Sequence, residues 1–351
     1  MSNNNITSTT INSINETVLD IYLKFVKQCD DPKRRDLTLT STAIITLIIY
    51  GIGIILQLAV IPANYRLSKH RSAFNLLYEI NIFDTLWLFE YVWLSIEFLI
   101  GSRIIILFNL EAYVFRFINL CIDTFYELLA LNRSIAILFP IIYNKIFNIK
   151  TTKYLIYIVW IIALIYSIYT NWLPERRPFH CLSQLGYFEP TTMISKDLLA
   201  TLPDTTFYDI IQAIDVILVF IPLIVYGVTF IKILFKKYTK KVEEPITTMY
   251  QSETEKQQFT NLESERVRLY LMCLLITWPY YISYSLYFSS RIFQINDKIV
   301  SIMAIFWQIL GMIFHVQQPL CILLLSKDMR FEVKEDFKLF WKKIKNFIFN
   351  G

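Results

Sequence analysis

Hydrophobic residues dominate seven long stretches of this chain, and polar residues collect between them. The stretches run from Leu39 to Pro62, Phe74 to Ile100, Ile104 to Phe139, Tyr154 to Trp172, Tyr208 to Phe235, Leu269 to Ser289 and Ile299 to Leu325. Each holds about 20 or more mainly apolar residues, enough to cross roughly 30 Å of hydrocarbon as an α-helix whose backbone polar groups are bonded within the segment. The third stretch is overlong, which predicts a helix projecting past the lipid on its inner side. An odd number of crossings puts the two chain ends on opposite sides, and no repeat at domain scale interrupts the series. The pattern predicts an all-α membrane protein: a tail over residues 1–38, a seven-transmembrane helix bundle over 39–325 and an inner tail over 326–351.

A different pattern follows the seventh stretch. In FEVKEDFKLFWKKIKNFIF, Phe337, Phe340, Trp341, Ile344, Phe347 and Ile348 fall on one helical stripe, with Lys338, Lys342, Lys343 and Lys345 off it. This spacing predicts a short amphipathic eighth helix on the inner leaflet, its apolar stripe in the interface and its lysines against anionic headgroups.

Composition agrees with membrane residence. The 351 residues are 55% hydrophobic and only 18% charged, with a mean hydropathy of +0.45; soluble domains carry about a quarter charged residues. The net charge of +5 does not point to nucleic acid, because the basic residues stand in short clusters beside apolar stretches. Of the 34 lysines and arginines, 22 fall in segments 63–73, 133–153, 232–268 and 327–351; 11 fall in the intervening segments, and Arg116 lies within the third stretch. The positive-inside rule therefore predicts a multi-pass plasma-membrane protein with an extracellular N-terminus. Two sequons, at Asn5 and Asn15, fit glycosylation of that tail. The tail has no basic, apolar leader, so the first span is expected to do the targeting.

Enzymatic readings find little support. The three histidines, His70, His180 and His315, are scattered, no Cys or His cluster has metal spacing, and no Gly-rich phosphate loop occurs among 7 glycines. No catalytic residue, cofactor or metal is expected.

The stretch LNRSIAILFPIIYNKIF, residues 131–147, places Arg133 at the inner end of the third span, with Pro140 seven residues on and Tyr143 ten on. It resembles the Asp-Arg-Tyr region of rhodopsin-like G-protein-coupled receptors. With Asn132 before the arginine, it is most similar to the nematode serpentine chemoreceptors of the Srx and Srg superfamily. Other positions agree in part: Asn75 and Asp84 in the second span, Gln57 where asparagine is usual in the first, Trp160 with Ala163 in the fourth, and Pro222 in the fifth. TWPYY, 277–281, holds the tryptophan and proline of the sixth span, but adjacent rather than one apart. QQPLCILLLSKDMR resembles the end of the seventh, with Gln318 for asparagine before Pro319, Ile322 for tyrosine, and Arg330 eleven residues after the proline.

The resemblance implies a receptor for a small environmental ligand that signals through a heterotrimeric G protein, in a sensory cilium or elsewhere on the plasma membrane. Asn132, Arg133, Pro140, Tyr143, Pro319 and Arg330 would serve coupling and activation. Asn132 offers Arg133 only a neutral hydrogen bond where related receptors offer a carboxylate, so a weaker resting lock and higher basal activity are expected. A receptor for an internal peptide or lipid is the alternative within the class. A transporter or channel is the alternative outside it, and would show paired repeats or broken helices.

Ionisable residues within spans are functional candidates by default. Asp84 and Asp123 both lie about 15 Å from the inner edge at ~1.5 Å per residue. By resemblance, a small cation such as sodium would sit between them with Gln57 as a further ligand; a shared proton, or ordinary hydrogen bonding to a neighbouring helix, is the competing arrangement. Arg116, about 25 Å from the inner edge, is expected to pair with Asp215 or Glu90, or to receive an anionic ligand. Trp278, Tyr281 and Trp307 have the depth of pocket-lining aromatics. The usual rhodopsin-like disulfide needs a cysteine at the top of the third span, and residues 101–120 hold none. Cys29 and Cys181 alone fall outside the membrane in an oxidising setting, so a bridge between them is expected; Cys121, Cys273 and Cys321 lie in spans as apolar packers.

Overall fold

The chain's termini of helix and loop follow local chemistry that the sequence displays. The computed structural model describes residues 37–101, 105–171, 178–182, 188–192, 224–235, 267–268, 270–279, 281–282 and 297–350. In chain order the described elements are α1 (Leu37–Ser68), α2 (Ser72–Ile100), α3 (Ile105–Leu138), α4 (Pro140–Ile146), α5 (Ile149–Thr170), β1 (Pro178–Leu182), β2 (Phe188–Thr192), α6 (Ile224–Phe235), α7 (Tyr270–Pro279), α8 (Asp297–Leu325) and α9 (Lys327–Asn350). Helix α2 ends where Gly101 adopts φ 79°, a left-handed conformation that glycine takes without Cβ strain, and its N–H bonds to Glu97 O. Helix α3 stops one residue short of Phe139, which precedes Pro140 and cannot stay helical against the proline ring. Pro140 then opens α4 at a position where its missing N–H has no helical partner to lose. Asn148 caps α5 by accepting from the Thr151 N–H at 2.8 Å.

Helix α3 is 34 residues long, as the overlong third stretch predicts. Helix α1 corrects one boundary: it continues through Pro62 to Ser68 rather than ending at the proline, because Val60, Ala63 and Asn64 remain buried in the bundle. A second correction is the antiparallel pair β1–β2, with Cys181 opposite Glu189. Strands of five residues inside a connection leave no periodicity to read.

Helix α2 lies among α1, α3, α5 and α8, so its polar residues are inside. Leu76, Leu77, Ile80 and Leu88 of α2 pack with Cys121, Phe125 and Leu129 of α3, Ala163 of α5, and Phe314 and Ile322 of α8. Gly53 lets α1 approach closely: a Cβ there would lie 3.0 Å from Val316 Cγ2 and 3.1 Å from Leu88 Cδ1. Outside, Ile45, Ile48, Ile52 and Ile55 of α1 and Tyr157, Ile158, Ile161 and Ile165 of α5 are exposed. An exterior this apolar is suited to lipid as solvent, and α1 and α5 are long and apolar enough to span it.

At one end of the bundle the chain bends by 99° from α8 into α9. Ser326 Oγ accepts from the Met329 N–H at 3.3 Å and starts the new helix. Arg66 holds α9 to α1 through Glu332 at 2.6 Å and Asp336 at 2.7 Å, and Arg71 pairs with Asp328 at 2.7 Å. The amphipathic stripe is exposed at Phe337, Phe340 and Trp341.

Candidate functional site

Among the described residues two polar clusters are prominent, one in the middle of the bundle and one at the end that carries α4 and α9. The middle cluster centres on Asp84 of α2, which has no exposed surface. Its Oδ2 accepts from the Tyr126 hydroxyl of α3 at 3.0 Å, and its Oδ1 lies 2.9 Å from His315 Nδ1 of α8. The imidazole stacks on Trp87 with ring centroids 3.8 Å apart, and Trp87 in turn meets Tyr91 at 4.1 Å and the edge of Tyr50 at 5.7 Å. One turn along α2, Asn81 Oδ1 accepts from Gln318 Nε2 at 2.6 Å; Gln318 Oε1 accepts from Gln57 Nε2 at 2.6 Å, and the same Gln57 amide reaches the His315 carbonyl at 3.3 Å.

This arrangement corrects the expected surroundings of Asp84. Gln57 serves the amide chain that ties α1 to α8 and α2, because Gln318 is one methylene longer than asparagine and reaches both neighbours. On α3 the contact to Asp84 comes from Tyr126, one turn nearer Arg133 than Asp123. Asp123 is half-buried and lies within electrostatic reach of Cys121 and Tyr281. Depth along a helix was readable from counting; the face was not. Scattered histidines carry no metal-site spacing, so His315 does not stand out in the sequence as a ligand. The available signal was an ionisable residue in the seventh span, four residues before Pro319, at the level of a buried carboxylate.

The second cluster surrounds Arg133, which is 9% exposed. Asn132 Nδ2 donates to Ser72 Oγ at 3.4 Å, the Tyr143 hydroxyl donates to Asn132 Oδ1 at 3.5 Å, and Tyr143 OH and Ser72 Oγ are 2.9 Å apart. Burial alone would push the Tyr143 phenol up, but the Arg133 guanidinium and hydrogen bonds with Ser72, Arg133 and Asn132 hold it below the ordinary phenol range. The guanidinium field also reaches Cys273 on α7. Asn132 is thus turned toward α2 and α4, and Tyr143 is the group that joins it to Arg133. Ser72, the third member, carries no sequence signal beyond its place at the start of the second span. Arg330 donates to the carbonyls of Leu323 and Leu324, closing the end of α8 whose last carbonyls lack helical partners. Pro319 lies within α8.

At the opposite end, Arg116 of α3 and Glu90 of α2 are half-buried. Ser167 Oγ donates to Tyr113 O at 2.6 Å and Tyr113 OH donates to Asn171 O at 2.9 Å, tying α3 to α5 there. Trp278 corrects an expectation: it is 41% exposed and turned out of the bundle, while Thr277 is fully buried with its hydroxyl on Cys273 O at 2.9 Å. Adjacency to Pro279 explains this, since a shift of one residue rotates a side chain by about 100° around a helix. Tyr281 is buried, its ring 6.5 Å from Tyr226. The side chain of Trp307, and residues Asp215, Cys29, Asn5 and Asn15, lie outside the described residues, as does any bond from Cys29 to Cys181, whose backbone forms part of β1. Cys121, Cys273 and Cys321 are free thiols. Among the described residues no three His, Cys, Asp or Glu side chains gather as metal ligands.

The arrangement of these helices is similar to that of a rhodopsin. The crystal structure of squid rhodopsin superposes with a TM-score of 0.65 over 86% of this chain and 85% of that one, at 14% identity, a likeness of fold alone. The fold is of the rhodopsin-like seven-helix membrane class. Within that class, the model of the serpentine type 7TM GPCR chemoreceptor Srx matches residues 47–261, and the chain belongs to that family. No curated protein sequence matches it.

Proposed function

We propose that this receptor detects a small ligand from the extracellular side and activates a heterotrimeric G protein at the end that carries α4 and α9. The observation that supports this reading most directly is Arg133, buried at the junction of α3 and α4, joined to Tyr143 and within electrostatic reach of Cys273 on α7. A cation so placed stands between helices whose separation would open the inner face, and a ligand acts by binding the separated state better than the packed one. The excess of basic residues in the segments flanking α4 and α9 favours a cytoplasmic position for that end.

Arg116, half-buried toward the opposite end of α3, is the residue suited to an acidic ligand. In cells expressing the chain and loaded with a calcium or cyclic-nucleotide reporter, a panel of small carboxylic acids and neutral odorants tests this. A response to an acid that Arg116→Ala abolishes at unchanged surface expression supports it. A response that Arg116→Ala leaves intact removes Arg116 from the ligand site.

A further inference from the structure

Asp84 poses an electrostatic problem that the bundle must solve. A carboxylate with no exposed surface among apolar helices costs several kcal/mol unless a proton or a counter-cation accompanies it. A hard metal ion would meet that need only with several oxygen ligands turned toward it. The residues present do not fit such an ion. Both carboxyl oxygens are engaged in hydrogen bonds, Oδ2 with the Tyr126 hydroxyl at 3.0 Å and Oδ1 with the His315 ring at 2.9 Å. Gln57, the amide nearest in kind to an extra ligand, gives its N–H groups to Gln318 and to the His315 carbonyl; its Oε1, buried with no hydrogen-bond partner, adds a single neutral oxygen where a hard ion takes several.

We propose that the cation of this transmembrane core is a proton carried by the Asp84–His315 pair, in place of a metal ion, and that the receptor is therefore indifferent to sodium. The charge balances for either position of the proton: carboxylate beside imidazolium, or carboxylic acid beside neutral imidazole, is neutral in sum, and both keep a hydrogen between Oδ1 and Nδ1. A neutral pair exerts no pull on a metal ion. The imidazole also stands in the way physically. It is clamped against Asp84 by the Trp87 ring at 3.8 Å, itself held by Tyr91 and Tyr50, and its backbone is fixed by Gln57. This inference concerns the resting core and stands apart from the identity of the ligand.

The test is the melting of the purified full-length receptor in detergent. Unfolding is followed by a thiol-reactive fluorophore, which gains access to the buried Cys121 and Cys273. Midpoints are compared in sodium chloride and in choline chloride at equal ionic strength. The wild type is expected to melt at the same temperature in both. His315→Ser, which removes the protein's own counter-charge, is expected to melt lower in choline and to recover several degrees in sodium, and Asp84→Asn combined with His315→Ser is expected to lose that recovery. His315→Gln, neutral and closer in size, serves the same comparison where the serine variant does not fold. A wild-type midpoint raised by sodium and returned to the choline value by Asp84→Asn overturns the proposal, as does indifference to sodium in both His315 variants.

Discussion

At the scale of single residues, the chain balances buried charge by pairing it across helices rather than by keeping it at the surface. Asp84 and His315 stand 231 residues apart in sequence and 2.9 Å apart in the fold. Tyr126 donates to the other carboxyl oxygen, and leaving a buried acceptor without its donor costs about 1–3 kcal/mol. Tyr126→Phe keeps the ring and removes only that donor, so it should lower stability by about that amount in a melting experiment, with little change in expression. At Arg133 the residue-level question is electrostatic. Asn132 presents an amide to Ser72 and Tyr143, and Tyr143 mediates its link to the guanidinium. Asn132→Asp would place a carboxylate beside that cluster and hold Arg133 more firmly. Ligand-free nucleotide exchange on a reconstituted G protein should fall relative to wild type, and an unchanged rate would argue against a lock at this position. Arg133, Pro140 and Tyr143 stand out in the sequence through their resemblance to the rhodopsin-like pattern, and Asp84 through the cost of charge in lipid. Their partners do not, because Ser72, Tyr126 and His315 become partners only when α2, α3 and α8 are brought together.

At the scale of elements, caps and proline rules account for where helices start and stop, whereas facing depends on neighbours. Trp278 and Thr277 show the difference: the residue type suggested a buried tryptophan, and one residue of register placed the threonine inside instead. The continuation of α1 through Pro62 has the same origin, since burial of the flanking residues outweighs the local penalty of an interior proline. Two glycines of α1 make the point testable. Gly51 has no atom within 4 Å of an added Cβ, while Gly53 would meet Val316 at 3.0 Å and Leu88 at 3.1 Å. Gly51→Ala should stabilise the receptor by about 0.5–1 kcal/mol through helix propensity. Gly53→Leu should destabilise it by about 1–3 kcal/mol through overpacking between α1, α2 and α8. Melting of the two variants in parallel checks both signs.

At the scale of the whole molecule, the seven apolar stretches, the overlong third and the amphipathic eighth helix were all readable, because lipid imposes a length and a hydropathy on every crossing. The β1–β2 pair was not, since strands of five residues within the long connection between the fourth and fifth stretches leave no periodicity to distinguish strand from loop. Membership of the Srx family and the rhodopsin-like fold define the receptor class, and the proposed account adds that Arg133 converts movement of the helices into contact with a G protein. The direct measurement is nucleotide exchange on a panel of heterotrimeric G proteins in membranes carrying equal surface amounts of wild type and Arg133→Ala. The account predicts that wild type raises exchange on at least one G protein without added ligand, and that Arg133→Ala returns it to the level of membranes lacking the receptor. Equal exchange by wild type and variant across the panel would contradict it.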